Sequence, residues 1–187
     1  MGMGEPLLNY DHVMTAISIM TDSLGLMLGA RRITISTSGI VPEIRRLAAS
    51  RSKVNLAVSL NAPDDRKRRE LMPVARSYPL PELMAAIREW TQVYHRRVTF
   101  EYILFKGVND SEADARALAK LIEGIACKIN LLAYNPVDGV DYKRPEDTAV
   151  DRFAQILYPL APAVTVRKSR GSDITAACGQ LAGKRGY

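Results

Sequence analysis

Short runs of apolar and β-branched residues recur along this chain, and longer stretches with helical spacing separate them. Runs of the kind that forms buried strands cover residues 33–36, 54–60, 98–105, 128–134 and 164–166. An alternation of short strands and longer helices is typical of parallel β/α units joined by right-handed crossovers. The pattern therefore predicts an α/β protein with a parallel sheet.

The stretches between these runs carry two kinds of helix signal. Apolar residues recur at steps of three and four, which places them on one helical face. Short polar residues or proline also stand where a helix would begin. The predicted faces are Val13, Ile17 and Met20, and Leu83, Ile87, Trp90 and Val93 after Pro81 and Glu82; Asp110-Ser111 and Asp147-Thr148 are the predicted N-caps of helices over residues 113–122 and 150–160.

Polar or cationic residues follow most of the predicted strands at their carboxyl ends. These groups are Ser36-Thr37-Ser38-Gly39, Ser59-Leu60-Asn61, Asn135-Pro136 and Arg167-Lys168. That edge holds the active site in β/α barrels, and open doubly wound sheets also bind ligands there. Serine, asparagine, glycine and proline are equally common as turn formers. The residues alone leave open both the architecture and the purpose of this edge.

The first residues combine flexible backbone with one carboxylate. Gly2 and Gly4 precede Glu5, and the rigid Pro6 follows it. Such a turn can approach a cationic ligand group such as an amine, although the same pattern is commonly only a turn.

A basic segment near the C-terminus leads into a helix-like run that ends in Cys178. Lys168 and Arg170 precede the cysteine, and small residues flank it. Nearby cations favour the reactive thiolate form, and small neighbours would let a large partner approach the sulfur. The alternative is that Cys178 is a small buried apolar residue.

Composition indicates the cellular compartment and the possible partners of this protein, and not the reaction that it performs. The chain has 187 residues, a net charge of +6 and two cysteines, Cys127 and Cys178. The charge is compatible with an anionic partner such as RNA, and so few cysteines fit a reducing compartment. No apolar run is long enough to span a bilayer and no signal-peptide pattern is present, so we expect a cytoplasmic protein without membrane contact. The charged run over residues 64–70 is expected to be a solvated helix face, with contact to an RNA backbone as the alternative.

Several of these stretches, in this order, resemble the radical S-adenosylmethionine RNA methyltransferases. The blocks that carry the resemblance are Gly2-Met3-Gly4-Glu5-Pro6-Leu7-Leu8-Asn9, Arg31-Arg32-Ile33-Thr34-Ile35-Ser36-Thr37-Ser38-Gly39, Leu56-Ala57-Val58-Ser59-Leu60-Asn61-Ala62-Pro63, Lys128-Ile129-Asn130-Leu131, Tyr134-Asn135-Pro136 and Val166-Arg167-Lys168-Ser169-Arg170-Gly171 through Ala177-Cys178-Gly179-Gln180-Leu181. The resemblance implies a partial radical-SAM-type β/α barrel. It also implies methylation of adenine C2 in 23S rRNA and tRNA, and the members that methylate adenine C8 are the second candidate.

The resemblance assigns roles to individual residues. Gly4 and Glu5 would bind the methionine part of S-adenosylmethionine, with Glu5 accepting from its α-ammonium group. Ser36, the turn Ser59-Leu60-Asn61 and Asn135 would complete the cofactor site. Cys178 would carry the methyl carbon to the adenine ring. A [4Fe-4S] cluster and an external electron donor would serve the complete enzyme.

The chain also departs from the family pattern. Two cysteines cannot supply the family's three-cysteine cluster motif, so no metal ligand is assigned here. Cys127, just before a predicted strand, is expected to be a packing residue, and Asn61 stands where many relatives have histidine. We therefore expect residues 1–187 to be the C-terminal part of the barrel, without the N-terminal domain and the cluster-binding segment, and inactive alone. A cofactor- or RNA-binding remnant without catalysis is the alternative.

Overall fold

The sheet of this protein is parallel throughout and follows the order of the chain. The computed structural model describes residues 4–137 and 139–167. Within them, five strands pair in the order β1-β2-β3-β4-β5. The strands are β1 (Thr34–Thr37), β2 (Asn55–Ser59), β3 (Val98–Leu104), β4 (Cys127–Ala133) and β5 (Val164–Arg167). Each predicted strand is confirmed, and its ends differ from the prediction by no more than one residue.

Six α-helices accompany the strands in the described part of the chain. They are α1 (Tyr10–Thr21), α2 (Val41–Ala49), α3 (Asp65–Leu71), α4 (Leu80–Tyr94), α5 (Glu112–Leu121) and α6 (Asp147–Leu157). Helix α2 had not been predicted. Among the described residues, no helix combines the length and the apolar character needed to cross a membrane.

The strand order decides the architecture that the sequence left open. A doubly wound sheet reverses its strand order at a switch point, which places helices on both faces. Here each crossover advances to the next strand in the same direction, so right-handed connections place the helices on one face. The fold is a partial β/α barrel, as the family resemblance implied.

The two faces of the sheet differ in polarity because strand residues alternate in direction. The helix-covered face is apolar and fully buried, as Val58, Phe100 and Ile129 illustrate. Helix α4 adds Leu83, Ile87 and Trp90 to this core. The opposite face, which we call the concave face, carries alternate residues of β3 and β4 that are only half-buried. Burial of the apolar face drives folding and leaves the concave face for polar side chains.

Three local predictions about the helices have different outcomes. Ser111 caps α5 through a capping box with Asp114, which confirms the predicted start. Helix α6 begins at Asp147 after Glu146, so the predicted cap at Asp147-Thr148 was wrong. Val93 was predicted on the apolar face but is 50% exposed, because Tyr94, four residues after Trp90, takes the core position at this end of α4 and stacks on Trp90.

Candidate functional site

The Gly4-Glu5 turn is fixed against the end of β1 by hydrogen bonds to the Glu5 carboxylate. Glu5 Oε2 accepts from the Ser38 amide at 2.7 Å and from Ser38 Oγ at 2.8 Å. Glu5 Oε1 accepts from the Leu7 amide at 3.1 Å, which caps the short helix Pro6–Asn9. Gly4 has a φ of +68°, a left-handed conformation that glycine adopts without strain. The turn thus presents a half-buried carboxylate in one defined orientation.

This turn lines a cleft that runs along β1, which is an edge strand of the described sheet. The cleft has a volume of about 770 Å³, within the range of small-molecule sites. Its polar lining includes Glu5, Ser36, Ser38 and Ser59, and its apolar lining comes from α1 and β1. Four predicted cofactor residues, Gly4, Glu5, Ser36 and Ser59, therefore meet in one cleft.

The Ser59-Leu60-Asn61 turn uses its polar groups largely within the protein. The Leu60 amide donates to the Glu101 carbonyl at 2.9 Å, and the Leu60 side chain is fully buried. Asn61 has a φ of +57°, and its Oδ1 accepts from the Ile103 amide at 3.0 Å. Leu60 and Asn61 do not line the cleft. Their contact with a cofactor stays a prediction that involves backbone atoms, since the Asn61 side chain binds β3.

Asn135 follows β4 at the carboxyl edge of the sheet, where the sequence placed it. It is buried, and it is not among the residues that line the cleft along β1. Because β1 and β4 lie at separate positions in the sheet, one ligand reaching both would have to extend across the strand ends. A role for Asn135 in cofactor binding stays a prediction.

A polar row crosses the concave face and was not recognised in the sequence. Ser59 is in register with Glu101, Glu101 with Asn130, and Asn130 with Thr165. Asn130 Nδ2 donates to Glu101 Oε1 at 3.0 Å. Asn130 Oδ1 is buried and has no hydrogen-bond partner within the described residues. The polar alternation in the runs 98–105 and 128–134 was the signal for this row, which continues from the cleft at Ser59 into the barrel.

The charged run over residues 64–70 is only partly the solvated face that we expected. Arg66 and Glu70 are exposed, with side-chain exposures of 76% and 55%. Arg68 is fully buried, so the expectation was wrong for this residue. Lys67 is largely covered and forms an ion pair with Asp114 of α5. The middle of α3 thus faces the protein, which removes Lys67 and Arg68 from any surface for RNA.

Only one of the two cysteines, Cys127, lies in the part of the chain that the structure describes. Cys178, with Lys168 and Arg170, lies outside the described residues. Cys127 begins β4 with no exposed surface, and burial raises the pKa of its thiol to about 11. A thiol protonated at neutral pH is a poor nucleophile, which agrees with the predicted packing role. The described residues hold no group of three or more His, Cys, Asp or Glu side chains placed to bind a metal ion.

A family model matches the chain over the region that contains this cleft. The model of the Radical SAM superfamily covers residues 1–119, which is more than half of the chain. The chain therefore belongs to the radical SAM superfamily.

Two similar curated proteins are named as RNA methyltransferases. The chain is 56% identical over 182 residues to the dual-specificity RNA methyltransferase RlmN of Rhodospirillum rubrum, covering 97% of this chain and 42% of that protein. It is 53% identical over 182 residues to a probable dual-specificity RNA methyltransferase RlmN of Symbiobacterium thermophilum, covering 97% of this chain and 49% of that protein. The chain thus spans about half the length of the curated relatives that it matches.

Solved structures support the fold. A crystal structure of a radical SAM methyltransferase from Sphaerobacter thermophilus superposes with a TM-score of 0.93 at 50% identity, covering 96% of this chain and 53% of that one. A domain of a pyruvate-formate lyase-activating enzyme from Bacteroides vulgatus superposes with a TM-score of 0.63 at 18% identity, covering 89% of this chain and 96% of that one. The second likeness concerns the fold alone.

Proposed function

We propose that this chain provides the S-adenosylmethionine-binding part of a radical SAM RNA methyltransferase that modifies adenine C2 in 23S rRNA and tRNA. The observation that carries the proposal is the Glu5 carboxylate, which Ser38 holds toward a cleft of about 770 Å³. The names of the similar proteins, the dual-specificity RNA methyltransferases, support the choice of RNA as substrate. The cytoplasm, where ribosomes and tRNA occur, is the proposed location.

The residues of the cleft fit the amino-acid part of S-adenosylmethionine. A carboxylate oxygen can accept further hydrogen bonds beyond those from Ser38 and Leu7, so Glu5 can bind an α-ammonium group. Ser36 and Ser59 offer hydroxyl groups that can bind a ribose or a carboxylate. The apolar wall from α1, with Ile17 and Met20, can cover the methylene and sulfur atoms. When bound, this cofactor supplies methyl groups and radical chemistry.

The residues of this chain do not fit the iron–sulfur cluster of the family. A [4Fe-4S] cluster is held by cysteine thiolates, and Cys127 is enclosed in the core with a raised thiol pKa. Cys178 alone cannot replace a set of thiolates. The cluster ligands would therefore come from sequence outside these 187 residues, and an external electron donor would serve the complete enzyme.

Cys178 is the proposed methyl carrier, and a graft tests this role together with the substrate. The segment would replace the matching part of a complete relative, and methyl transfer into RNA would be measured by mass spectrometry. The expected product is C2-methyladenosine in 23S rRNA and tRNA fragments, whereas C8-methyladenosine would indicate the alternative specificity. Cys178→Ser should abolish transfer, because a hydroxyl is a much weaker nucleophile than a thiolate.

Cys127→Ser is the matched control for this graft. It should retain turnover and cost only stability, on the order of 1–3 kcal/mol for a hydroxyl placed in an apolar site. Retained turnover in Cys178→Ser would remove that thiol from the mechanism. No methylation by the unmutated graft, despite correct folding and a loaded cluster, would favour a binding segment without catalysis.

A further inference from the structure

A buried arginine from α3 reaches the same turn that holds Glu5. Arg68 Nη2 donates to the Ser38 carbonyl at 2.8 Å, and Arg68 Nη1 donates to the Tyr78 carbonyl at 3.3 Å. The Ser38 amide and hydroxyl both donate to Glu5 Oε2. Ser38 thus receives a hydrogen bond from a buried cation on one side and donates to the cleft carboxylate on the other.

The arginine occupies this position at a substantial desolvation cost. It has no exposed surface, and it takes part in none of the ion pairs formed within the described residues. Desolvation by burial lowers the pKa of Arg68 to about 10, while the nearby Asp65 carboxylate opposes that shift. A buried cation of this kind needs polar partners: backbone carbonyls accept from Nη1 and Nη2, whereas Nε has no hydrogen-bond partner within the described residues. Its charge strengthens the hydrogen bond to Ser38, because charged donors form the stronger bonds.

The backbone next to Ser38 is shaped to admit the guanidinium group. Gly39 has a φ of +109°, a conformation that other residues rarely adopt. A Cβ atom on Gly39 would lie 3.0 Å from Arg68 Nη2 and 3.2 Å from Leu83 Cδ1. The missing side chain therefore gives Arg68 its access to the Ser38 carbonyl. Three features of the chain, the Ser38 turn, Gly39 and the α3 arginine, thus meet at one point.

We infer that Arg68 is a positioning residue for the cleft: it holds the Ser38 turn in the conformation that orients the Glu5 carboxylate toward a ligand ammonium group. The role of Glu5 as ligand acceptor rests on the proposed function, whereas the link from Arg68 through Ser38 to Glu5 does not. Arg68 itself does not line the cleft, so it acts on the ligand only through Ser38 and Glu5.

Amide hydrogen exchange of the 187-residue chain tests this link without any ligand. Arg68→Met keeps the length of the side chain and removes its donors. Loss of a charged hydrogen bond should speed exchange of the Ser38 amide by about tenfold or more through local opening. Arg45→Met is the matched control, because Arg45 is an exposed arginine that pairs with Glu89. It should leave Ser38 exchange unchanged.

Ligand binding then separates positioning from general stability. S-adenosylmethionine carries the α-ammonium group, and 5′-methylthioadenosine lacks the amino-acid part. Calorimetry should show S-adenosylmethionine binding to Arg68→Met about tenfold more weakly, with 5′-methylthioadenosine affinity changed less than about twofold. Arg68→Lys restores the positive charge and one donor, and should recover part of the lost affinity.

The outcomes distinguish this inference from the proposed function. Unchanged Ser38 exchange in a folded Arg68→Met protein overturns the positioning role, whatever the ligands do. If Arg68→Met weakens the binding of both ligands equally, Arg68 only stabilises the fold, and this result also overturns the positioning role. If the unmutated chain binds neither ligand, the proposed function fails while the exchange data still decide the positioning role. If Arg68→Met does not fold, Arg68→Lys, which shortens the reach to the Ser38 carbonyl, provides the exchange comparison: faster exchange of the Ser38 amide supports the positioning role, and unchanged exchange overturns it.

Discussion

Replacement of the buried residue Asn109 tests how much its hydrogen bonds to the backbone stabilise this fold. Its side chain has no exposed surface, and it joins the Asn61 turn to β3. Asn109 Nδ2 donates to the carbonyls of Asn61 and Ile103, both at 2.7 Å. Asn109 Oδ1 accepts from the Phe105 amide, also at 2.7 Å. A single amide group therefore satisfies three backbone groups.

Asn109→Asp keeps the shape and removes both donors. The Phe105 amide retains an acceptor, but two carbonyl oxygens then face a carboxyl group. Each lost bond costs about 1 kcal/mol net, and a buried carbonyl left unpaired costs about 1–3 kcal/mol more. With two bonds lost and two carbonyls left unpaired, we therefore expect the free energy of unfolding to fall by about 4–8 kcal/mol at pH 7, a large part of the stability of an ordinary domain.

The pH dependence gives this prediction a second test. Burial beside two carbonyls favours the protonated acid, so the pKa of the new carboxyl group rises above its unfolded value. A raised pKa means that the loss of stability is smallest in acid and grows as the pH rises through the folded pKa. Urea unfolding followed by circular dichroism at pH 5 and pH 8 measures both effects.

Asn9→Asp is the control for this series. Asn9 is exposed and lies at the start of α1, where aspartate is equally acceptable, so the change should stay within about 0.5 kcal/mol. A loss below about 1 kcal/mol in Asn109→Asp at pH 8 would contradict this prediction, because it would mean that the two carbonyls do not depend on the Asn109 amide.

Two further predictions concern other buried groups. Burial raises the pKa of Cys127 from 9.0 to about 11, so the contribution of the protonated thiol to stability should be complete below pH 9 and lost as the pH rises toward 11. The difference in unfolding free energy between the unmutated protein and Cys127→Ala, measured by urea unfolding, should change by about 1–3 kcal/mol over that range. A constant difference would contradict the raised pKa of this thiol. Lys67→Met should lower the free energy of unfolding by about 1–3 kcal/mol, because it leaves the largely buried Asp114 carboxylate without its cation. Arg66→Met, on the exposed side of α3, should lower it by less than about 0.5 kcal/mol. Similar losses of stability in the two variants, measured by thermal unfolding, would count against a stabilising Lys67–Asp114 ion pair.

The strands were predictable because the helix-covered face is uniformly apolar. Runs such as 98–105 mark a strand by β-branched and aromatic residues alone. The sheet order was not predictable from the residues, since parallel strands pair over long separations in sequence. Helix α2 had a readable signal, with Pro42 in its first turn and Val41, Ile44 and Leu47 at three-residue steps, but the stretch is short and lies between two stronger elements.

The site was predictable in composition and not in geometry. Glu5, Ser36 and Ser59 could be singled out because they stand at turns and strand ends, and the structure brings them to one cleft. Ser38 and Arg68 were noted only as parts of a polar turn and a charged run, since the link between them is a contact across 30 residues of sequence. The sequence did not decide whether the Asn61 side chain contacts a ligand, and in the structure that side chain accepts from the Ile103 amide. Local sequence patterns do not show which polar side chains form their hydrogen bonds within the protein.

In the proposed function, the Glu5 turn receives the α-ammonium group of S-adenosylmethionine. Calorimetric titration of the 187-residue chain with S-adenosylmethionine, compared between the unmutated protein and Glu5→Gln, tests it most directly. Loss of the charge should weaken binding by about 10- to 100-fold, while Glu70→Gln on the exposed side of α3 leaves it unchanged. Equal affinity in the unmutated protein and a folded Glu5→Gln variant, or no binding to the unmutated chain, would contradict the account.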